Sequence, residues 1–117
     1  MTNEDLESHL REIGCDVEYL TGSDGVPYLV IRGYQISKGS LAGRTCDVAI
    51  QQSSSMPYVA PPAIHTRPPL VPMDMTIALR TQPSPIGSDW QYWSRLLRGQ
   101  PTPATLVAHV ATIFSEV

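Results

Sequence analysis

Two thiols, three imidazoles and a scatter of hydroxyls are the groups in this 117-residue chain that could do covalent chemistry. A thiol attacks only as its thiolate, which requires an exposed and electropositive setting. Cys46 alternates with Val48 and Ile50 in "RTCDVAIQQ", so it is expected to point where the core residues point and to behave as a small hydrophobe. Cys15 follows a helix stop at Gly14 and is expected on the wrong side of the sheet for catalysis. His65 lies in "PAIHT"; with Ile64 toward the core, it faces the other side of the sheet. Cys46 and His65 are therefore the two weak catalytic candidates, the imidazole as an acid–base or oxyanion group. Ser53, His65 and Asp74 make a triad on paper, but their spacing lends it no support. Thr81 or Ser84 could form an oxyester, yet a hydroxyl needs an activating base and the sequence places none beside them.

Other chemistries find little purchase. His9, His65 and His109 lie far apart, without metal-ligand spacing. The glycines of "GSDG" (22–25) and "SKGSLAG" (37–43) do not open a helix as a phosphate loop would. No metal and no cofactor are expected.

Local patterns predict the elements that must hold these groups. Leu6, Leu10 and Ile13 recur at helical spacing in residues 3–13, with Thr2 as cap and Asp5 completing a capping box. Strand chemistry follows at 16–20, 27–36, 44–52 and 62–66, giving a four-stranded antiparallel meander. Residues 67–87 hold five prolines, with only "MTIAL" (75–79) able to form a short element. Residues 88–99 read as a helix on which Trp90, Trp93 and Leu97 share a face. Residues 102–117 read as a second helix, with Thr102 as cap, Pro103 at its first position and a stripe of Leu106, Val110, Ile113 and Val117.

Composition bounds the class. The length suits one domain, residues 1–117. With 42% apolar and 16% charged residues the chain is expected to fold. Its net charge of −3 offers no basic footprint for nucleic acid. Residues 1–24 carry seven acids and one base, the remainder four acids and seven bases; the acidic quarter reads as a solvated helix face or a docking face for a basic partner. Two cysteines are too few for a disulfide framework. Residues 1–12 lack the apolar centre of a leader, and no apolar run approaches the roughly 20 residues of a membrane span. A cytoplasmic setting without membrane contact is expected.

The stretch "MPYVAPPAIHTRPPL" (56–70) places Met-Pro-x-x-x-Pro-Pro between the third and fourth strands. Its prolines fix φ and need no backbone donor, so they carry the chain stiffly across a sheet end. With "YLVIRGYQI" (28–36) and "WQYWSR" (90–95) it resembles the bacterial branch of the ubiquitin-conjugating-enzyme superfamily. In the family's signature the aromatic precedes the first proline; here Tyr58 follows Pro57. The resemblance implies an α+β fold of N-terminal helix, four-stranded antiparallel meander, proline-rich crossing and two C-terminal helices. It also implies a cysteine after the fourth strand, near a His-Pro-Asn. Residues 67–87 contain no cysteine, and His65-Thr66-Arg67-Pro68 is not that triad. The expectation is therefore a non-catalytic or atypical member of a bacterial ubiquitin-like modification pathway, binding a ubiquitin-like modifier, its activating enzyme, or both. Its binding surface would include Pro57, Tyr58, Pro61, Pro62, His65 and Arg67. The alternatives are an active conjugating enzyme with an unorthodox nucleophile and a plain interaction adaptor of the same fold.

Overall fold

Thr2 starts the structure as expected. In a computed structural model, which describes residues 1–74, 76 and 79–117, its side chain accepts the Asp5 N–H and its own N–H donates to the Asp5 carboxylate. The first helix, α1 (Asn3–Glu12), buries Leu6 and Leu10, and Gly14 leaves it at a φ of 90° that favours glycine. The second helix, α2 (Pro103–Ser115), has the Thr102 cap and the early proline that the sequence predicts. Its buried stripe is Leu106, Val110 and Ile113 with Phe114; Val117 packs at the margin of the same cluster.

Among the described residues six strands lie between the helices: β1 (Asp16–Thr21), β2 (Pro27–Gln35), β3 (Thr45–Gln51), β4 (Ala63–Arg67), β5 (Thr81–Pro83) and β6 (Gln91–Ser94). They form one sheet in the order β1-β2-β3-β4-β6-β5, every pair antiparallel. Gly33, at a φ of 63°, accompanies a register shift between β2 and β3, and its N–H donates to the Asp47 carboxylate.

This overturns the expected conjugating-enzyme arrangement of four strands and two C-terminal helices. Residues 88–99 form no helix; their centre is β6, and only one helix closes the chain. The reason lies in alternation. Gln91 and Trp93 point into the helix-covered layer while Tyr92 stacks against His65 on the far side. Strand β4 also has a free edge that β6 fills, with Ile64 opposite Trp93 and His65 opposite Tyr92. The proline-rich crossing yields the three-residue edge strand β5. Residues 75, 77 and 78 of the short element expected over 75–79 fall outside the described residues.

Both helices cover one face of the sheet, where Leu29, Ile31, Cys46, Val48, Ile50, Ile64 and Trp93 meet the helical stripes. The opposite face has a smaller cluster: Tyr28, Val30 and Ala49 lie under Ile86 and Trp90 of the segment joining β5 to β6. Trp90 and Trp93, expected on one helical face, thus anchor opposite sides of the sheet. Among the described residues no helix is long and apolar enough to cross a membrane.

Candidate functional site

The far face of the sheet gathers a buried imidazole and a hydroxyl. Alternation along β4 sends Ile64 to the helices and His65 to the other side, as predicted. The segment 84–90 arches over it as a strap. Nδ1 of His65 lies 2.7 Å from Ser84 Oγ, and Ser84 Oγ accepts the Ile86 N–H at 3.1 Å. The hydroxyl therefore bonds the ring and the strap backbone at once. Tyr28 and Tyr92 flank the ring edge-on, with centroids 5.1 and 5.3 Å away.

The strap is fastened further. The Ser23 N–H donates to the Ile86 carbonyl. Tyr28 donates its hydroxyl to Asp24, which also accepts the Val26 N–H. Gly22 has no room for a side chain: a Cβ there would lie 3.2 Å from the Ile86 Cα and closer still to Asp24. The "GSDG" turn is thus shaped to meet the strap.

A hydroxyl beside an imidazole has the parts of a nucleophile and base, but the setting works against it. His65 is 3% exposed and Ser84 9%, so neither presents itself to a substrate. Burial pushes the His65 imidazole down to about 4, with the Asp24 carboxylate opposing. At neutral pH the ring is an uncharged, weakly basic acceptor. The pair pins the strap to the sheet.

The other candidates are also accounted for. Cys46 is buried, and desolvation foremost, then Asp47, pushes its thiol up to about 12, with Arg44 opposing. The thiolate fraction at pH 7 is on the order of 10⁻⁵. Cys15 is half-buried, and burial raises its thiol as well. Ser53, His65 and Asp74 do not come together. Ser53 is bracketed by Asn3, His65 is paired with Ser84, and the Asp74 carboxylate accepts the Thr76 N–H. Thr81 is buried, donating to the Pro72 carbonyl and accepting the Asp74 N–H. Among the described residues no three His, Cys, Asp or Glu side chains gather in a way that could hold a metal ion.

The expected binding surface divides. Residues 53–62 form a ledge braced at its base. Asn3 donates to the Ser53 carbonyl and accepts its N–H, while Ser53 Oγ accepts the N–H groups of Ser55 and Val59. The peptide bond before Pro57 is cis. Pro57 and Pro62 are exposed and Pro61 half-buried. Beside Pro57 stand Met56, 88% exposed, and Val59, 60% exposed. Clefts of about 230 and 180 Å³ open on either side of the ledge, the first against the start of α1 and the second against the end of β3. Tyr58 turns inward as a core anchor, and His65 is covered by the strap. Arg67 is half-buried, ion-paired to Asp47 at 2.9 Å and stacked 4.5 Å over the Trp90 ring. Of the six expected surface residues, three prolines and part of Arg67 can touch a partner. Sequence reasoning missed Met56 and Val59, although two large apolar residues on either side of Pro57-Tyr58 were a signal for them.

No family model matches the chain, and no curated protein and no solved structure matches it either.

Proposed function

We propose that this domain is a non-catalytic protein-binding module that docks its partner on the 53–62 ledge. One contrast carries this reading: Cys46, His65, Thr81 and Ser84 are buried, while Met56 and Val59 stand out on a braced, proline-stiffened corner. A surface that is already ordered loses little freedom on binding. Methionine adapts to irregular apolar surfaces, and the flanking clefts would accept the partner's side chains. The partner class comes from the resemblance of Met56–Pro62: a ubiquitin-like modifier or its activating enzyme, in a cytoplasm that keeps Cys15 and Cys46 reduced. With the fold-level part of that resemblance overturned, the partner class rests on the corner alone.

The test is a titration of the isotope-labelled domain with a ubiquitin-like modifier and, separately, with its activating enzyme. Amide shifts confined to residues 53–62, and a loss of affinity of roughly tenfold or more in Met56→Glu and Val59→Glu, are expected. Absence of shifts on the ledge with both proteins overturns the partner class. A covalent adduct formed with activating enzyme, modifier and ATP, and lost in Cys46→Ser, would replace the module by an enzyme.

A further inference from the structure

On the helix-covered side, away from the ledge clefts, the chain leaves β6 as "RLLR" (95–98) and runs beside α2. Together with Arg80, just before β5, this segment and the outer face of α2 enclose an open groove of about 620 Å³. Three arginines line it, Arg80, Arg95 and Arg98, against one acid, Glu116. That is a local excess of two positive charges on a chain whose net charge is −3. Arg11, Arg32 and Arg67 each have a carboxylate within 4 Å; among the described residues these three have none. Arg95 is half-buried, its guanidinium 5.6 Å from the Trp93 ring centroid and donating to the Ser94 carbonyl. Burial first and the Arg80 charge second push it down, with Glu116 opposing. Uncompensated guanidinium groups facing one groove favour an anion that accepts from several at once.

His109 of α2 lines the opposite wall with Thr105 and Thr112.

The shape narrows the ligand. The α2 wall runs from Thr105 to Glu116, which at 1.5 Å per residue is about 16 Å, the length of roughly five extended residues. Leu96 is 71% exposed at the rim, and Leu97 and Ile113 line the wall. No Phe, Tyr or Trp lines it, so a nucleobase finds no large ring to stack on.

We propose that this groove binds an acidic peptide segment of a partner protein, about five extended residues in which Asp or Glu alternates with aliphatic side chains. The arginines take the carboxylates, and Leu96 and Leu97 take the apolar side chains. The proposal does not depend on the ledge: the two surfaces share no residue, and either can fail alone.

Fluorescence anisotropy on the whole chain tests it, with a labelled Glu-Leu-Glu-Leu-Glu peptide as probe. The peptide should bind at low ionic strength and weaken several-fold as salt rises from roughly 50 to 300 mM. Arg95→Gln and Arg98→Gln should each weaken it by about fivefold or more, while Glu116→Gln strengthens it. Arg98 is exposed, so its variant keeps the fold and separates lost binding from lost structure. The same peptide with Lys for each acid should not bind. Three results overturn the proposal: no binding of the acidic peptide, binding indifferent to Arg95→Gln and Arg98→Gln, or tighter binding of an oligouridylate through those arginines.

Discussion

Ser84 and His65, nineteen positions apart in the chain, meet at 2.7 Å under a strap that crosses the helix-free face of the sheet. The contact joins the β5–β6 connection to β4, and its consequences are open to measurement.

Stability should depend on His65 in the acid range. The folded imidazole sits near 4, below its ordinary value of 6.5. Between those values the unfolded chain binds the proton that the folded chain refuses. The stabilisation is therefore complete above about pH 6.5 and is lost as pH falls toward 4, by on the order of 3 kcal/mol. Urea unfolding at pH 7 and at pH 4.5 should show this drop in the parent and a much flatter response in His65→Asn. Parallel profiles for the two proteins would remove the assignment.

Ser84→Ala deletes the hydrogen-bond partner of His65 and the acceptor of the Ile86 N–H together. A loss of about 1–3 kcal/mol is expected. It should be accompanied by faster amide exchange at Ile86 while the amides of β2 and β3 stay protected. Uniform acceleration across the sheet would mean that the strap is not a separate unit.

Gln91 is fully buried and holds the crossing segment to the sheet. Its carbonyl accepts the Leu70 N–H at 2.9 Å, and its amide donates to the Val71 carbonyl at 2.7 Å. Gln91→Leu fills similar volume but strands both backbone groups. Chemical denaturation should show a loss of roughly 2–4 kcal/mol; a neutral substitution would mean that the segment re-pairs elsewhere.

The two thiols should differ in reactivity. Cys15 is half-buried and Cys46 is sealed in the main core. An aromatic disulfide reagent at pH 8 should modify Cys15 in the native protein and reach Cys46 only on unfolding. Fast labelling of Cys46, measured in Cys15→Ser, would reopen it as a nucleophile.

What the sequence revealed and what it hid follow from range. Thr2 with Asp5, and Thr102 with Pro103, are capping signals contained within one turn of helix. Cys46, Val48 and Ile50 were assigned a face by period-two alternation alone. Residues 90–97 satisfied two periods at once: Trp90, Trp93 and Leu97 fit a helix, Gln91 and Trp93 a strand. A four-residue strand is too short for its own pattern to decide; the vacant edge of β4 decided it. Ser84 lacked a base in the sequence because His65 reaches it only once β4 and the strap are stacked. The arginine groove was equally hidden. Arg80 precedes the β5–β6 hairpin and Arg95 follows it, and antiparallel pairing brings its two ends together.

The outer strand β5 has a bearing on how copies of the chain behave when crowded. It offers three residues to a newcomer, and the last, Pro83, has no N–H to give. A foreign strand arriving there meets a template too short and too poor in donors to extend the sheet, so runaway fibril growth from that rim is disfavoured.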